Sequence, residues 1–246
     1  MADLESVTRL PEDFDGRVRL FPLPEMVLFP HAMQPLHIFE PRYCDMLAES
    51  LATDQLIAMT TLTGGPVSFV DHQPPIASHV CIGRIISHVE VEDDRHNILL
   101  VGAKRARIVR EVDAGRPFRI AEVEVTDDVY SPNGADQRST LKEELLRAFG
   151  SVIPNSGNVE QNLYDLMAGQ MGLGPITDII AYTLPFEAEE KIQLLAEPDV
   201  DARSGELITL LEMGDVQLHS VTTEEQSLKN VSKKSDDRFP PPFSLN

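Results

Sequence analysis

The stretch from Phe21 to Tyr43 reads FPLPEMVLFPHAMQPLHIFEPRY and places five prolines among many apolar residues. A proline inside a helix removes a backbone donor and clashes with the preceding turn, and the residue before each proline is pushed toward extended geometry. The run therefore predicts an interrupted strand. Its last proline, Pro41, suits the first turn of a helix, and apolar residues recur after it at helical spacing: Tyr43, Met46, Leu47 and Leu51.

The spacing of apolar residues changes near residue 128 from a strand pattern to a helical pattern. Before that point the patterns predict strands at 55–62, 80–91, 98–101, 106–112 and 118–125, with Gly83 as a bulge or a point of close packing. A breaker cluster follows at 130–134. Helical patterns come after it, at about 137–152, 159–171, 176–183, 187–196 and 200–213.

This division predicts four segments. We expect an N-terminal extension (1–16), a β subdomain (17–128) that contains the helix at 41–52, a helical subdomain (129–214), and a flexible polar tail (215–246). The tail contains Phe239-Pro240-Pro241-Pro242-Phe243. This motif is either a polyproline II ligand for an aromatic groove or an inert end.

The composition bounds the class of protein and its partners. The formal net charge is −19, which repels phosphate backbones and acidic membranes and makes a nucleic-acid partner unlikely. No stretch approaches the ~18 apolar residues of a membrane helix, and the acidic N-terminus does not look like a secretory signal. The two cysteines, Cys44 and Cys81, indicate reduced thiols. We therefore expect a cytoplasmic protein without a membrane partner.

The opening run resembles the start of the Lon protease N-terminal domain family, whose motif has the pieces FPL, V-x-FP and PL-x-IFEPRY. The chain carries them at 21–23, 27–30 and 35–43. Further similarity appears at 80–85, 102–108 (with Ala106 where phenylalanine is common), 121–123 and 190–195, so the resemblance covers about 19–213. It implies an α+β fold: an N-terminal PUA-like β-pseudobarrel with one inserted helix, followed by a C-terminal helical bundle subdomain.

The same resemblance identifies motif residues for which we expect a structural role: Pro22, Pro30, Pro35, Glu40, Pro41, Arg42, Tyr43, Gly83, Gly102 and Arg105. Glu40 is expected to oppose the positive end of the helix dipole. Arg42 is expected to bridge the helix to a strand. Lys104, Arg105 and Arg107 form the densest basic group of the β half, which is either a small anion or RNA site or a solvated strand face.

Catalytic motifs of the larger family are missing. Neither a G-x-x-x-x-G-K-[ST] loop nor the peptidase serine motif with its partner lysine occurs, and G-x-S-x-G and H-E-x-x-H are also absent. The histidines and cysteines fit no standard metal spacing, and Cys44 reads as a buried helix cysteine rather than a nucleophile. We therefore predict no catalytic residue, no cofactor and no metal.

The resemblance implies a stand-alone, bacterial-type recognition module, since in Lon proteases this domain is associated with substrate selection and assembly. We expect it to bind polypeptide segments or a partner protein, in support of proteolysis. The candidate partner-binding residues are apolar members of the opening run, provided that they are exposed: Val27, Leu28, Phe29 and Met33. Self-association stays open, and the alternatives are an RNA-binding PUA-like protein and a hydrolase of unrecognised type.

Overall fold

The computed structural model describes residues 7–63, 74–153, 169 and 171–213. The β part of these residues contains β1 (Arg17–Pro24), β2 (Met33–Ile38), α1 (Pro41–Ala52), β3 (Leu56–Leu62), β4 (His79–Val91), β5 (Arg95–Val112) and β6 (Arg119–Thr126). The helical part contains a 3-10 turn (Pro132–Gly134), α2 (Arg138–Val152), α3 (Leu173–Thr183), α4 (Ala188–Ala196) and α5 (Val200–Met213).

The predicted order of strands followed by helices is confirmed, but two of the predicted strands are continuous in the structure. The two strands expected at 98–101 and 106–112 are one 18-residue strand, β5. The helix expected at 159–171 falls almost entirely outside the described residues, and the tail at 215–246 lies wholly outside them.

The six strands form one mixed sheet in the order β2-β5-β4-β3-β1-β6. β1 and β3 are parallel, and the other neighbours are antiparallel. The second half of β5 also pairs with β6, so the sheet folds back on itself as the predicted pseudobarrel rather than as a regular closed barrel. Register shifts bend the strands as bulges do: the extra residues are Ala103 and Val109 in β5 and Ile86 in β4. Gly83 lies opposite the bulge at Ala103 and is a point of close packing, because a Cβ there would lie 2.6 Å from Leu100 Cγ.

The prolines of the opening run determine which strand edges stay open. β2 is an edge strand, and its Pro35 has no N–H to offer a further strand. The Gln34 side-chain amide donates to the carbonyl oxygen of Pro35 (2.8 Å). The Tyr182 hydroxyl of α3 donates to Gln34 Oε1 (2.5 Å) and lies 3.2 Å from the carbonyl oxygen of Met33. These contacts cover part of the outer edge of β2, and covering an edge is one way in which proteins prevent further strand pairing.

The middle of the run, between β1 and β2, is an irregular connection held against β5. Glu25 and His31 have positive φ values of 55° and 65°. The His31 N–H donates to the carbonyl oxygen of Gly102 (2.8 Å), and the Gly102 N–H donates to that of Ala32 (2.9 Å). This pair of main-chain hydrogen bonds holds the backbone of Phe29 against Gly102 and fixes the path of the opening run across the sheet.

Two apolar clusters form the core. The smaller one fills the pseudobarrel with side chains such as Leu20, Ile82 and Ala121. The larger one starts under α1, includes Phe29 and Leu100, and continues between the helices to Leu207. The β part and the helical part therefore share one continuous hydrophobic core, which ties the two parts together.

We predict that Gly102→Ala lowers the free energy of unfolding by about 3 kcal/mol or more. A Cβ at this position would lie 1.9 Å from the carbonyl oxygen of Phe29 and 3.1 Å from Cys81 Sγ, so backbone must move. Gly205→Ala is the control, because its Cβ would meet nothing within 4 Å and alanine favours the α5 helix by ~0.5–1 kcal/mol. Urea unfolding measures both variants, and equal stability would contradict the close packing.

Candidate functional site

A groove of about 790 Å³ opens where the opening run meets the hairpin between β5 and β6. One wall is the end of β1, the second is the start of α1 with Glu40 and Arg42, and the third is the segment 111–120. The apolar residues that line it are Pro22, Leu23, Pro24, Tyr43, Leu62, Pro74, Val112, Ala114, Pro117, Phe118 and Ile120. The charged residues of the lining are Glu40, Arg42, Glu111, Asp113, Arg116 and Arg119. Four of the motif residues expected from the sequence, namely Pro22, Glu40, Arg42 and Tyr43, thus meet in one place.

The β1 wall of the groove cannot act as a full pairing edge. β6 pairs with β1 along Arg17–Leu20 and no further, while β3 continues along the opposite side of β1 to Pro24. The side of β1 beyond Leu20 that β6 leaves uncovered therefore contains Pro22 and Pro24, neither of which has an N–H. A ligand here cannot form a regular β-ladder and must be held by side-chain packing and by the rim.

The three arginines of the rim are each paired with a carboxylate. Arg42 lies 2.9 Å from Glu40, Arg119 lies 2.6 Å from Glu111, and Arg116 lies 2.7 Å from Glu49, each measured between guanidinium nitrogen and carboxylate oxygen. Because each of these arginines already has a carboxylate, the rim offers no surplus positive charge to a phosphate group. The groove is therefore suited to a ligand with little net charge that offers both apolar side chains and hydrogen-bonding groups.

The start of α1 differs from its expected arrangement. Arg42 does not bridge to a strand; both of its bonds go to Glu40 Oε2, at 3.1 and 2.9 Å. Glu40 is the N-cap residue but makes no side-chain cap bond, because Arg42 engages its carboxylate. The Arg42 guanidinium also stacks 4.5 Å from the centre of the Tyr43 ring. Burial raises the pKa of Tyr43, so its hydroxyl stays protonated at neutral pH.

The prediction of partner binding is wrong for three of the four candidate residues. Val27, Leu28 and Phe29 are 5%, 1% and 0% exposed and belong to the large core cluster. The positive φ values in this connection turn its apolar side chains inward, which alternation along a strand could not indicate. Met33 is 57% exposed but does not line the groove, so a role in partner binding stays a prediction for it alone.

The other motif residues occupy positions that shape the backbone. Pro30 is buried, Pro35 lies in the edge strand β2, and Pro41 is the first residue of α1. Gly83 of β4 packs closely against Leu100 opposite a bulge of β5, and Gly102 contacts the backbone of Phe29.

The position of Arg105 contradicts both alternatives predicted for the basic group of Lys104, Arg105 and Arg107. It is 3% exposed and donates to Asp128 and to Asp178 Oδ1 (2.7 Å), so it is neither an open anion site nor a solvated residue. Arg203 of α5 is fully buried and donates to Asp128 Oδ1 (3.0 Å) while its Nε lies 3.2 Å from Asp178 Oδ1. At the surface, Arg107 pairs with Glu124 and Lys104 pairs with Asp127, both at 2.6 Å.

These four residues, Arg105, Asp128, Asp178 and Arg203, form the ion cluster that joins β5, the segment after β6, α3 and α5. Sequence reasoning missed it. Two signals were present: Asp178 interrupts an otherwise apolar helix face in ITDIIAY, and Arg203 lies in the first turn of a helix with buried neighbours. A charge flanked by buried positions indicates a buried partner, although its identity cannot be read from one chain.

Burial dominates the titration of the groups in and near the ion cluster. Desolvation raises the pKa of Asp178 to about 6, against the opposing effect of Arg105 and Arg203, and the charge of Asp128 adds to the rise. Desolvation also raises the pKa of the neighbouring Cys81 thiol. Burial and nearby carboxylates raise that of Cys44, so neither thiol is activated as a nucleophile.

The described residues also bear on metal binding and on membrane crossing. Within 7–63, 74–153, 169 and 171–213, no group of three or more His, Cys, Asp or Glu side chains is arranged to hold a metal ion. In the same part of the chain, no helix has the length and apolar character needed to cross a membrane.

Comparison with known proteins gives a consistent result. The family model of the ATP-dependent protease La (LON) substrate-binding domain matches residues 17–213. "Lon protease 2" of Myxococcus xanthus is 23% identical over 203 residues, which is 81% of this chain and 24% of that protein. "Lon protease" of Solibacter usitatus is 23% identical over 94% of this chain and 28% of that protein. The chain thus spans about a quarter of the length of these curated relatives.

Two solved structures share the fold. A Lon N-terminal domain protein from Xanthomonas campestris matches with a TM-score of 0.55 and 23% identity, over 78% of this chain and 97% of that one. The N-terminal domain of the Mycobacterium avium complex Lon protease matches with a TM-score of 0.62 and 14% identity, over 80% of this chain and 98% of that one. At these identities the likeness establishes the α+β fold alone.

We predict that Asp178→Asn changes the pH dependence of stability. With a pKa raised from 3.8 to about 6, the folded protein holds a proton that the unfolded chain releases, so this group's contribution is fully present below pH 3.8 and is lost as the pH rises through 6. The unfolding free energy of the wild type, relative to Asp178→Asn, should therefore fall between pH 4.5 and 7.5, on the order of 1–3 kcal/mol.

Urea unfolding at a series of pH values measures this difference. Asp45→Asn, at an exposed position of α1, is the control and should give a profile parallel to that of the wild type. A parallel profile for Asp178→Asn as well would show that Asp178 does not titrate with a raised pKa.

Proposed function

The chain belongs to the family of ATP-dependent protease La (LON) substrate-binding domains, and from that premise we propose that it recognises exposed polypeptide segments in the groove beside β1. The observation that carries this proposal is a groove in which apolar side chains lie beside a polar rim whose arginines are each paired with a carboxylate. Burial of apolar side chains is worth about 25 cal/mol per Å². A groove of this composition gains most from ligands that bring apolar side chains and little net charge.

The backbone of the groove favours a particular kind of ligand. Because Pro22 and Pro24 provide no donors along β1, a bound segment gains little from strand-like pairing there. Segments that do not depend on strand pairing, such as apolar loops and proline-rich polyproline II stretches, lose no binding energy when these backbone donors are missing. Their carbonyl oxygens can accept hydrogen bonds from Arg42 and Arg116, each about half exposed at the rim.

The proposed role is selection rather than cleavage. The curated relatives are named as proteases, but this chain corresponds to about a quarter of their length. We propose that it presents bound segments to a separate protease and carries no catalytic residue of its own. Such a role places it in the cytoplasm, where unfolded or damaged chains are its substrates.

The two alternative functions have no supporting observation in the described residues. RNA binding was expected to depend on Arg105 and Arg107, but Arg105 is buried in the ion cluster and Arg107 pairs with Glu124. A hydrolase would need an acid, a base or a nucleophile with a suitably shifted pKa in an accessible pocket. Tyr43 lines the groove, but burial raises its pKa and keeps its hydroxyl protonated. The largest shifts belong to Asp178 and Cys81, which are fully buried at the joint between the two parts.

We predict that Val112→Glu weakens binding of an apolar peptide by roughly tenfold or more, because a carboxylate in the groove must be desolvated when the ligand docks. Val109→Glu is the matched control: it makes the same change on the same strand, at a residue that is 55% exposed and does not line the groove. Fluorescence anisotropy with labelled peptides rich in Leu, Phe and Pro measures the affinity.

Thermal unfolding of both variants checks that each remains folded, and Leu23→Glu repeats the test on the opposite wall. Equal losses in Val112→Glu and Val109→Glu would place binding elsewhere. Failure of every apolar peptide to bind better than an acidic peptide of equal length would refute the proposed function itself.

A further inference from the structure

The sequence motif Phe239–Phe243 has no assigned role, and the groove has no assigned natural occupant within the chain. The motif consists of three prolines between two phenylalanines, and it follows a basic stretch. It lies in 214–246, outside the described residues. We propose that this segment of the same chain docks into the groove and competes there with external polypeptides. This inference rests on the groove as the binding site of the proposed function.

The backbone chemistry of the two partners is complementary. Pro240, Pro241 and Pro242 have no N–H groups and favour the polyproline II conformation, which requires no pairing partner. The groove wall contributed by Pro22 and Pro24 likewise lacks donors. Neither partner therefore leaves a backbone N–H buried without an acceptor at this contact, which is a cost that an ordinary extended segment would incur.

The side chains are complementary as well. In polyproline II geometry Phe239 and Phe243 stand about 12 Å apart, so each can reach a different part of the lining. The rim already shows an arginine stacked on an aromatic ring, Arg42 on Tyr43 at 4.5 Å. A docked phenylalanine offers Arg116, which is 52% exposed, a contact of the same kind.

The connection is long enough for docking within one molecule. Met213 ends α5, and 25 residues separate it from Phe239. A coil of that length spans on average about 25–30 Å, whereas a folded unit of this size has a radius of gyration of about 16 Å. The tether gives the motif an effective concentration in the millimolar range, so even a weak contact is occupied.

Charge favours the same contact. The stretch from 229 to 238 has four basic residues (Lys229, Lys233, Lys234, Arg238) and two acidic ones (Asp236, Asp237), a net +2 on a chain whose total is −19. A basic stretch is attracted to the acidic body and holds the adjacent motif near its surface. The interaction weakens as salt is added.

Docking of the motif would make binding autoinhibited, since the apparent affinity for an external segment falls by the fraction of molecules in which the groove is free. In the full chain, the double variant Phe239→Ala/Phe243→Ala should therefore bind a labelled apolar peptide about 3- to 10-fold more tightly than the wild type does. Val221→Ala/Val231→Ala, which truncates two apolar side chains in the same segment, is the control and should leave the affinity unchanged.

A second measurement tests the contact directly. A labelled synthetic peptide with the sequence of residues 238–246, RFPPPFSLN, should bind to the Phe239→Ala/Phe243→Ala protein. It should bind at least tenfold more weakly when Val112→Glu is added, and with unchanged affinity when Val109→Glu is added instead. Absence of binding, or equal binding to both groove variants, would overturn the inference.

The outcomes separate this inference from the proposed function. If apolar peptides bind in a manner sensitive to Val112→Glu but Phe239→Ala/Phe243→Ala changes nothing, the tail contact is refuted and the function stands. If no ligand responds to Val112→Glu, both are refuted. Sedimentation velocity completes the test: a dimer that dissociates on Phe239→Ala/Phe243→Ala would show docking between two copies and would overturn docking within one chain.

Discussion

A buried set of two arginines and two aspartates determines how the two parts of this molecule meet. Arg105 comes from β5, Asp128 from the segment after β6, Asp178 from α3 and Arg203 from α5. Taking such charges out of water is expensive, and their mutual attraction offsets the cost only with good geometry. Displacing one helix would leave a buried charge without its partner, at a cost of about 3–5 kcal/mol. The cluster therefore specifies one arrangement among the many that a purely apolar interface would tolerate.

The ion cluster influences the shape of the groove through one strand, β6. Asp128 follows the end of β6, and the beginning of β6, with Arg119 and Ile120, lines the groove. β6 is also the strand that pairs with both β1 and β5. Its position therefore determines how far segment 111–120 lies from Pro22 and Tyr43. The ion cluster fixes one end of β6, and the pairing of Arg17–Leu20 with β6 fixes the other, so the shape of the groove depends on contacts outside it.

Sequence reasoning succeeded where the cause is local. Proline rules placed α1 at Pro41–Ala52, the period change separated strands from helices, and glycine in a strand indicated the close packing at Gly83. It failed where the cause is tertiary. The sequence around Val27, Leu28 and Phe29 does not show that the main chains of His31 and Gly102 form hydrogen bonds. These bonds hold the connection against β5, where the three apolar side chains are buried. Two walls of the candidate site carry motif residues that the sequence identified as structural, whereas the wall at 111–120 carries no motif and joins the site only through strand register.

The contrast between the acidic chain and its neutral groove bears on what the molecule can select. A net charge of −19 would repel acidic ligands everywhere on the surface, whereas the arginines at the rim are each already paired with a carboxylate. In the proposed function, long-range charge would govern which chains approach, and apolar packing would govern which of them stay. A segment that is basic and apolar satisfies both conditions. The residues before and within Phe239–Phe243 meet the same two conditions, so the proposed self-recognition and the proposed substrate recognition would depend on one physical principle.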